Sequence, residues 1–134
     1  MKLTNQLKIR QFRPEDEGFV YSSWLNNYWG SHNHDMTKTV FMAGHHNVIE
    51  KILQREGIEI LIAANIDDDE QILGYLVREG NVLHYLYVKS PFRRSGISAA
   101  LLEEADFSQP VILSHKTVYC DYLKIKTTFN PYLR

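Results

Sequence analysis

Val82–Ala105, VLHYLYVKSPFRRSGISAALLEEA, is the stretch whose reading decides the fold. Its first seven residues, Val82 to Val88, are β-branched, aromatic and aliphatic, the composition of a strand. Pro91 has no N–H for a ladder and stops that strand. Arg93 and Arg94 follow, then Ser95-Gly96. Beyond them Ile97, Ala100, Leu101 and Ala105 recur at spacings of three and four, which puts them on one face of a helix. A strand, a basic turn and a glycine at a helix start compose an anion site. The first helical N–H groups lack intrahelical acceptors, and the positive end of the dipole points the same way. Gly96 has no Cβ, so a ligand can approach the backbone there.

Working outward, Leu7 to Phe12 alternates apolar and polar as a half-buried strand does. Pro14 with Glu15, Asp16 and Glu17 marks a helix start, and the helix runs to about Tyr28, burying Val20, Trp24 and Tyr28. The segment 26–44 is the least regular and reads as a lid or wall over a pocket. His32, His34, Asp35, His45 and His46 fall near one another there, but without a cysteine or a helical His-x-x-x-His pair no metal is assigned. His45 to Glu56 carries an apolar stripe at Val48, Ile49, Ile52 and Leu53, a second helix. Ile58 to Ile66 is nearly all apolar, a buried central strand. Asp67 to Glu70 reads as a charged turn, Gln71 to Glu79 as the third strand, and Gly80-Asn81 as a tight turn into the fourth. Gly74 marks a bulge or a close backbone approach. Helix 96–106 leads to a fifth strand at Val111 to Ser114. That strand is reached through a helix, so it lies parallel to the fourth after a right-handed crossover.

With 134 residues the chain has room for one domain, 1–134, with a real core. At 44% hydrophobic, 23% charged and a net charge of −1, no global field draws it to nucleic acid or a membrane surface. One cysteine, Cys120, excludes an intrachain disulfide and suits a reducing compartment. The N-terminal residues show no secretory apolar core, and no run approaches transmembrane length, so the expected location is cytoplasmic.

At Arg93-Arg94-Ser95-Gly96-Ile97-Ser98, with Val88 before and Leu101-Leu102 after, the chain resembles the GNAT superfamily of acyl-CoA-dependent N-acetyltransferases. Their pyrophosphate loop reads Arg/Gln-x-x-Gly-x-Gly/Ala between a strand and a helix; Ser98 departs mildly from it. The resemblance implies an α/β (α+β) fold with a mixed, mainly antiparallel sheet of five to six strands flanked by helices. It implies a CoA thioester, acetyl-CoA, as donor and a primary amine as acceptor. It further implies that Arg93, Arg94, Ser95, Gly96, Ile97 and Ser98 cradle the phosphates while Leu86, Tyr87 and Val88 line the pantetheine arm, in a gap where the fourth and fifth strands splay. Small phage and prophage proteins that resemble acetyltransferases share this size and the Phe-Asn-Pro-Tyr-Leu ending.

Amide formation needs a neutral amine, hence a base, and the departing thiolate benefits from a proton donor. His84 is the candidate base; alternation puts it on one face with Leu86 and Val88 unless a bulge shifts the phase. A core histidine bonded to its surroundings is the other reading. Thr117 to Lys126 offers a helix with Tyr119 and Tyr122 as candidate acids, or as packing residues. Cys120 lacks a thiolate-stabilising setting. Only eight residues follow Lys126, enough for one short strand, with Phe129, Tyr132 and Leu133 as anchors on the chain's own sheet or across a homodimer interface. The short tail also admits a CoA-binding or interaction module that kept the fold without catalysis.

Overall fold

The fourth strand of the sequence reading, Val82–Val88 (β4), is reproduced residue for residue in the computed structural model, which describes residues 6–31 and 35–134. Among the described residues the remaining strands are β1 (Leu7–Gln11), β2 (Ile58–Asn65), β3 (Asp68–Glu79), β5 (Val111–Leu113) and β6 (Thr127–Phe129). They form one sheet in the order β1-β2-β3-β4-β5-β6. The first four are antiparallel neighbours, whereas β4–β5 and β5–β6 are parallel. Helices α1 (Glu17–Gly30) and α2 (Lys38–Leu53) cover one face, and α3 (Ile97–Ala105) the other.

Two-sided cover explains why β2 is nearly all apolar. Ile60, Ile62 and Ala64 join the core under α1 and α2 with Trp24, Ile49 and Tyr75. Leu61 and Ala63 point the other way, into the core under α3 with Ile97 and Leu101. Neither face of β2 meets water, so the alternation of a half-buried strand is lost.

The start of α1 is built as its sequence implies, with one addition. The Asp16 carboxylate accepts the Arg13 N–H at 2.8 Å and a forked pair from the Arg10 guanidinium at 2.8 and 3.0 Å. Arg10 above all, then the Arg13 N–H, holds the Asp16 carboxyl below its ordinary pKa. The forked, nearly buried geometry ties β1 to the α1 entrance.

Three boundaries differ from expectation. Helix α2 begins at Lys38, not His45, because Thr37 caps it, its hydroxyl accepting the Val40 N–H at 3.3 Å. The buried face is Phe41, His45, Ile49 and Ile52, so the stripe starts a turn and more earlier than the Val48-centred reading placed it. Much of the supposed irregular segment is therefore helix; His32 and His34 lie outside the described residues. Strand β3 starts at Asp68, leaving Ile66-Asp67 as the turn. The supposed helix over Thr117 to Lys126 shrinks to a 3-10 turn at Val118–Tyr122.

The tail docks on its own sheet, but not through the expected side chains. Val111 N–H donates to Lys126 O at 2.8 Å and Asn130 N–H to Leu113 O at 2.8 Å, so β6 covers the free edge of β5 by backbone pairing. Tyr132 is 94% exposed and anchors nothing. Arg134 does instead, donating to Ser114 O at 2.8 Å and to the Tyr28 hydroxyl at 2.7 Å, while Arg55 donates to Leu133 O at 2.9 Å. Among the described residues no helix is long and apolar enough to cross a membrane.

Gly74 is where β3 comes closest to β4. A Cβ there would stand 2.5 Å from Tyr87 O, a backbone atom that can move only with the sheet. Gly74→Ala is expected to destabilise the fold by roughly 2–4 kcal/mol, read from chemical denaturation, with overpacking as the cause. A loss under about 0.5 kcal/mol, the ordinary surface range, would show the two strands to be free to separate. Deleting residues 127–134 removes the β6 rungs and the Arg134 contacts; the melting temperature is expected to fall by several degrees, and an unchanged melt would make the tail dispensable.

Candidate active site

β4 and β5 pair over only two residue pairs, Val82↔Ile112 and Leu83↔Leu113, with a last rung from Ser114 N–H to Leu83 O at 3.3 Å. Beyond that rung β4 continues alone on this side to Val88, still paired with β3 on the other. Lys89 N–H donates to Leu73 O, and hydrogen-bonding residues alternate along an antiparallel pair. The backbone groups of Leu86 and Val88 therefore turn into the gap, and those of Tyr87 turn to β3. The strand thus offers a half-ladder: an extended ligand carrying amides could pair with Leu86 and Val88 as a missing strand would.

At the open end of the gap the chain makes a 3-10 turn at Ser90–Phe92 and then two left-handed residues, Arg94 (φ 63°) and Gly96 (φ 93°). For Arg94 that conformation costs roughly 1–2 kcal/mol, whereas Gly96 adopts it freely. Buried Ser95 donates its hydroxyl to the Phe92 carbonyl, fixing the loop from inside. Gly96 caps α3 with no side-chain hydrogen bond, and among the described residues no side chain takes the N–H groups of the helix's first turn. The Ile97 side chain is core, packed beneath the helix, and Ser98 is half-buried. A helix N-terminus with its dipole end and the exposed Arg94 beside it is an arrangement chemically suited to an anion. Arg93 folds back across the gap, donating Nε–H to Val88 O at 3.1 Å and Nη1–H to the Tyr119 hydroxyl at 3.2 Å, its guanidinium 4.9 Å from the Tyr119 ring centre.

His84 occupies a bulge. Val77 faces Tyr85 and Arg78 faces Leu83, leaving His84 the extra residue. The phase shifts there: Leu83, Leu86 and Val88 all enter the α3-side core, whereas His84 bonds to Ser114 and through it and His115 towards His45 of α2. The ring is completely buried, and both nitrogens are engaged. Nε2 lies 3.0 Å from Glu79 Oε1 and Nδ1 lies 2.6 Å from Ser114 Oγ. Ser114 Oγ is 3.0 Å from His115 Nδ1, and His115 Nε2 is 2.8 Å from His45 Nε2. The donors can be ordered from one end. A carboxylate only accepts, so His84 Nε2–H donates to Glu79 and Nδ1 accepts the Ser114 O–H. Ser114 then accepts His115 Nδ1–H, and His115 Nε2 lies 2.8 Å from His45 Nε2. Three hydrogen bonds thus run one way towards Glu79, across the closed end of the gap. Burial pushes the His84 pKa down against the opposing pull of Glu79, and His84 in turn, with Arg55, holds Glu79 below its ordinary value.

On the α1 face a cleft of about 440 Å³ opens between the helix and β4, lined by Phe19, Ser22, Ser23, Asn26, Asn27 and Tyr87. The structure therefore brings Leu86, Val88, Arg93, Tyr119 and the Gly96 loop to one gap and sends the Tyr87 side chain to the cleft behind it. Tyr122 is 81% exposed and does not line the cleft. The sequence reading missed the polar α1 residues and the partners of His84. The first were legible in principle, as Ser22, Ser23, Asn26 and Asn27 at helical spacing; the second were not. Among the described residues no group of three or more His, Cys, Asp or Glu side chains gathers to hold a metal.

The buried histidine sets an acid limit on stability. In the unfolded chain His84 takes up a proton below its ordinary pKa of about 6.5, while in the fold it resists until a lower pH. Its contribution is full above the unfolded value and drains as pH falls towards the folded one; the depressed Glu79 drains in the same direction at lower pH. Wild type is therefore expected to lose more stability between pH 7 and 5 than His84→Gln does, read from urea unfolding. Parallel pH curves for the two proteins would remove His84 as the titrating group.

The arrangement has relatives. A family model described as "Acetyltransferase (GNAT) domain" matches residues 39–109, more than half of the chain. No curated protein sequence matches. Among solved structures, a putative acetyl transferase from Pyrococcus furiosus superposes with a TM-score of 0.65 at 14% identity, covering 93% of this chain and 82% of that one. A possible acetyltransferase from Clostridium difficile 630 gives 0.54 at 15% identity over 75% and 68%. A putative GNAT family acetyltransferase from Staphylococcus aureus gives 0.53 at 19% identity over 72% and 86%. At such identities the likeness speaks for the fold, a mixed, mostly antiparallel six-stranded sheet with helices on both faces. The family model, lying across α2, the meander, the splayed β4 and the Gly96 loop, goes further: the chain belongs to the GNAT acetyltransferase family.

Proposed function

We propose that this protein transfers an acyl group, acetyl first among them, from its CoA thioester directly to a primary amine. The observation that carries this reading is the gap beside β4, with the Leu86 and Val88 backbone turned into it and an uncapped helix start at its open end. In the reading, the pyrophosphate rests on the N–H groups around Gly96 and Ser98, with Ser95 and Ile97 shaping the loop from below and Arg93 and Arg94 supplying charge. The pantetheine amides pair with Leu86 and Val88. Donor entry displaces Arg93 from the Val88 carbonyl. The thioester then points to the closed end, and the neutral amine arrives from the α1 cleft past Tyr87.

The amine nitrogen attacks the thioester carbon, the C–S bond breaks, nitrogen loses one proton and the thiolate gains one. Tyr119, held at the gap by Arg93, is the proposed donor to sulfur in preference to Tyr122, which is 81% exposed. With both nitrogens engaged, His84 serves any base role only through Ser114 or Glu79, and its first duty is to hold the closed end. That engagement is also the observation favouring a second reading, a CoA-binding module without turnover.

Titration calorimetry with acetyl-CoA, followed by an amine panel scored for N-acetylated product, separates the two: binding without product supports the module. Gly96→Val is expected to weaken CoA by about tenfold or more while the protein stays folded, because the Cβ would force the loop from its left-handed conformation. Arg93→Ala and Arg94→Ala should weaken CoA more than pantetheine, and less so as salt rises. Equal losses for both ligands would contradict a phosphate role for the arginines.

A further inference from the structure

The cleft between α1 and Tyr87 has a chemistry of its own. Five of its six lining residues, Phe19, Ser22, Ser23, Asn26 and Asn27, form one stripe of α1, and Tyr87 faces them from β4. The lining holds hydroxyls, carboxamides and two rings 6.1 Å apart, and no charged side chain. Part of this polarity is already committed. Ser23 donates to Phe19 O at 2.6 Å and meets the Tyr75 hydroxyl at 2.9 Å. Asn26 Nδ2 donates to Ser22 O at 2.9 Å, and Asn27 Oδ1 accepts the Tyr85 hydroxyl. Among the described residues Asn26 Oδ1, Asn27 Nδ2 and the Tyr87 hydroxyl take no partner. The cleft thus presents one acceptor, one double donor and one group that does both.

We infer that the acceptor amine is carried on an uncharged hydrogen-bonding body, amide or polyhydroxyl, and that this cleft selects it. The inference rests on the acyl-transfer reading and adds the acceptor class to it. Three physical points carry it. A volume of about 440 Å³ takes a small-molecule fragment rather than a bare methylamine. A carboxylate or a second ammonium entering it would lose hydration with no lining charge in return, while a neutral body exchanges water hydrogen bonds for those of Asn26, Asn27 and Tyr87. The nearby cation, Lys89, lies 5.0 Å over the Phe19 ring; it further disfavours a cationic body, and its pull on a carboxylate is what the glycine arm below weighs against the neutral acceptors. A site built from hydrogen-bonding groups also discriminates steeply, because a poorly matched ligand leaves them unpaired.

The test compares acceptors of similar size on the full chain with acetyl-CoA: glycinamide for the amide arm, 3-amino-1,2-propanediol for the hydroxyl arm, glycine and ethylenediamine for the two charges. Values of kcat/KM are corrected for the fraction of free amine. The neutral acceptors are expected to exceed the charged ones by about tenfold or more, and the better neutral arm names the body. Asn26 is exposed, so Asn26→Asp folds, and it should shift the ratio towards ethylenediamine by about tenfold while acetyl-CoA affinity holds. Equal kcat/KM for neutral and charged acceptors, or a neutral preference untouched by Asn26→Asp, overturns the inference. A second readout is independent of turnover: the side-chain NH₂ signals of Asn26 and Asn27 in 1H–15N spectra, titrated with N-acetylglycinamide, 1-acetamido-2,3-propanediol and N-acetylglycine. Shifts with either neutral compound and not with N-acetylglycine support the cleft's selectivity even if no amine is acetylated, the result that would sink the acyl-transfer reading alone. Shifts with all three, or with none, overturn it.

Discussion

The parting of β4 from β5 is the constraint on which the rest of the site depends. Had the two strands stayed paired to Val88, the backbone groups of Leu86 and Val88 would be spent in a ladder. Two features set where they part. Gly74 lets β3 press so close to β4 that β4 stays with its antiparallel neighbour throughout. At the other edge, the His84 bulge bonds across to Ser114 where the parallel pairing ends. One side of β4 is thereby held and the other released, a division no single strand propensity could produce. The Tyr85 ring stacked 4.9 Å from Trp24 adds packing behind the bulge, where a slip of one residue would turn the ring to the other face.

Charge is distributed to match. The open end of the gap carries Arg93, Arg94 and the α3 dipole, while the α1 cleft behind β4 is polar but uncharged. Across the closed end lies the run from Glu79 through His84, Ser114 and His115 to His45. A buried network of this kind stabilises only when each member is satisfied; its directional order achieves that by starting from a group that can only accept. Arg55 and Arg134 fasten the last residues of the chain beside this network, through Leu133 O and Ser114 O, so the tail and the closed end of the gap are one structural unit.

What was legible in the sequence follows the range of the interactions. The strand at Val82–Val88 and the helix after Gly96 are set by local pattern, and both stand within a residue of where the pattern puts them. Gly74 was readable as a bulge or a close approach because few other reasons put glycine inside a strand; it lies close to Tyr87 O, and the β2–β3 register shifts beside it. The first turns of α2 were hidden by a stripe that begins at Phe41 and by a cap, Thr37, lying in a stretch rich in turn formers. The phase of His84 was not readable at all, since a bulge is set by two strands together. Its partners stand 5 and 30 residues away in the chain, and the last link of the run joins residues 70 apart. The tail misled for a related reason: apolar residues drew the eye, but backbone pairing and an arginine do the docking.

The central claim is that β4 offers its backbone to an acyl donor whose phosphates lie on the start of α3. Backbone amide spectra recorded while CoA is titrated into 15N-labelled protein test it most directly. The account expects the amide signals of Leu86 and Val88 to shift together with those from Arg94 to Ser98, Leu86 and Val88 towards the values of hydrogen-bonded strand. Shifts confined to the loop, or centred on the α1 cleft with β4 unmoved, would contradict it.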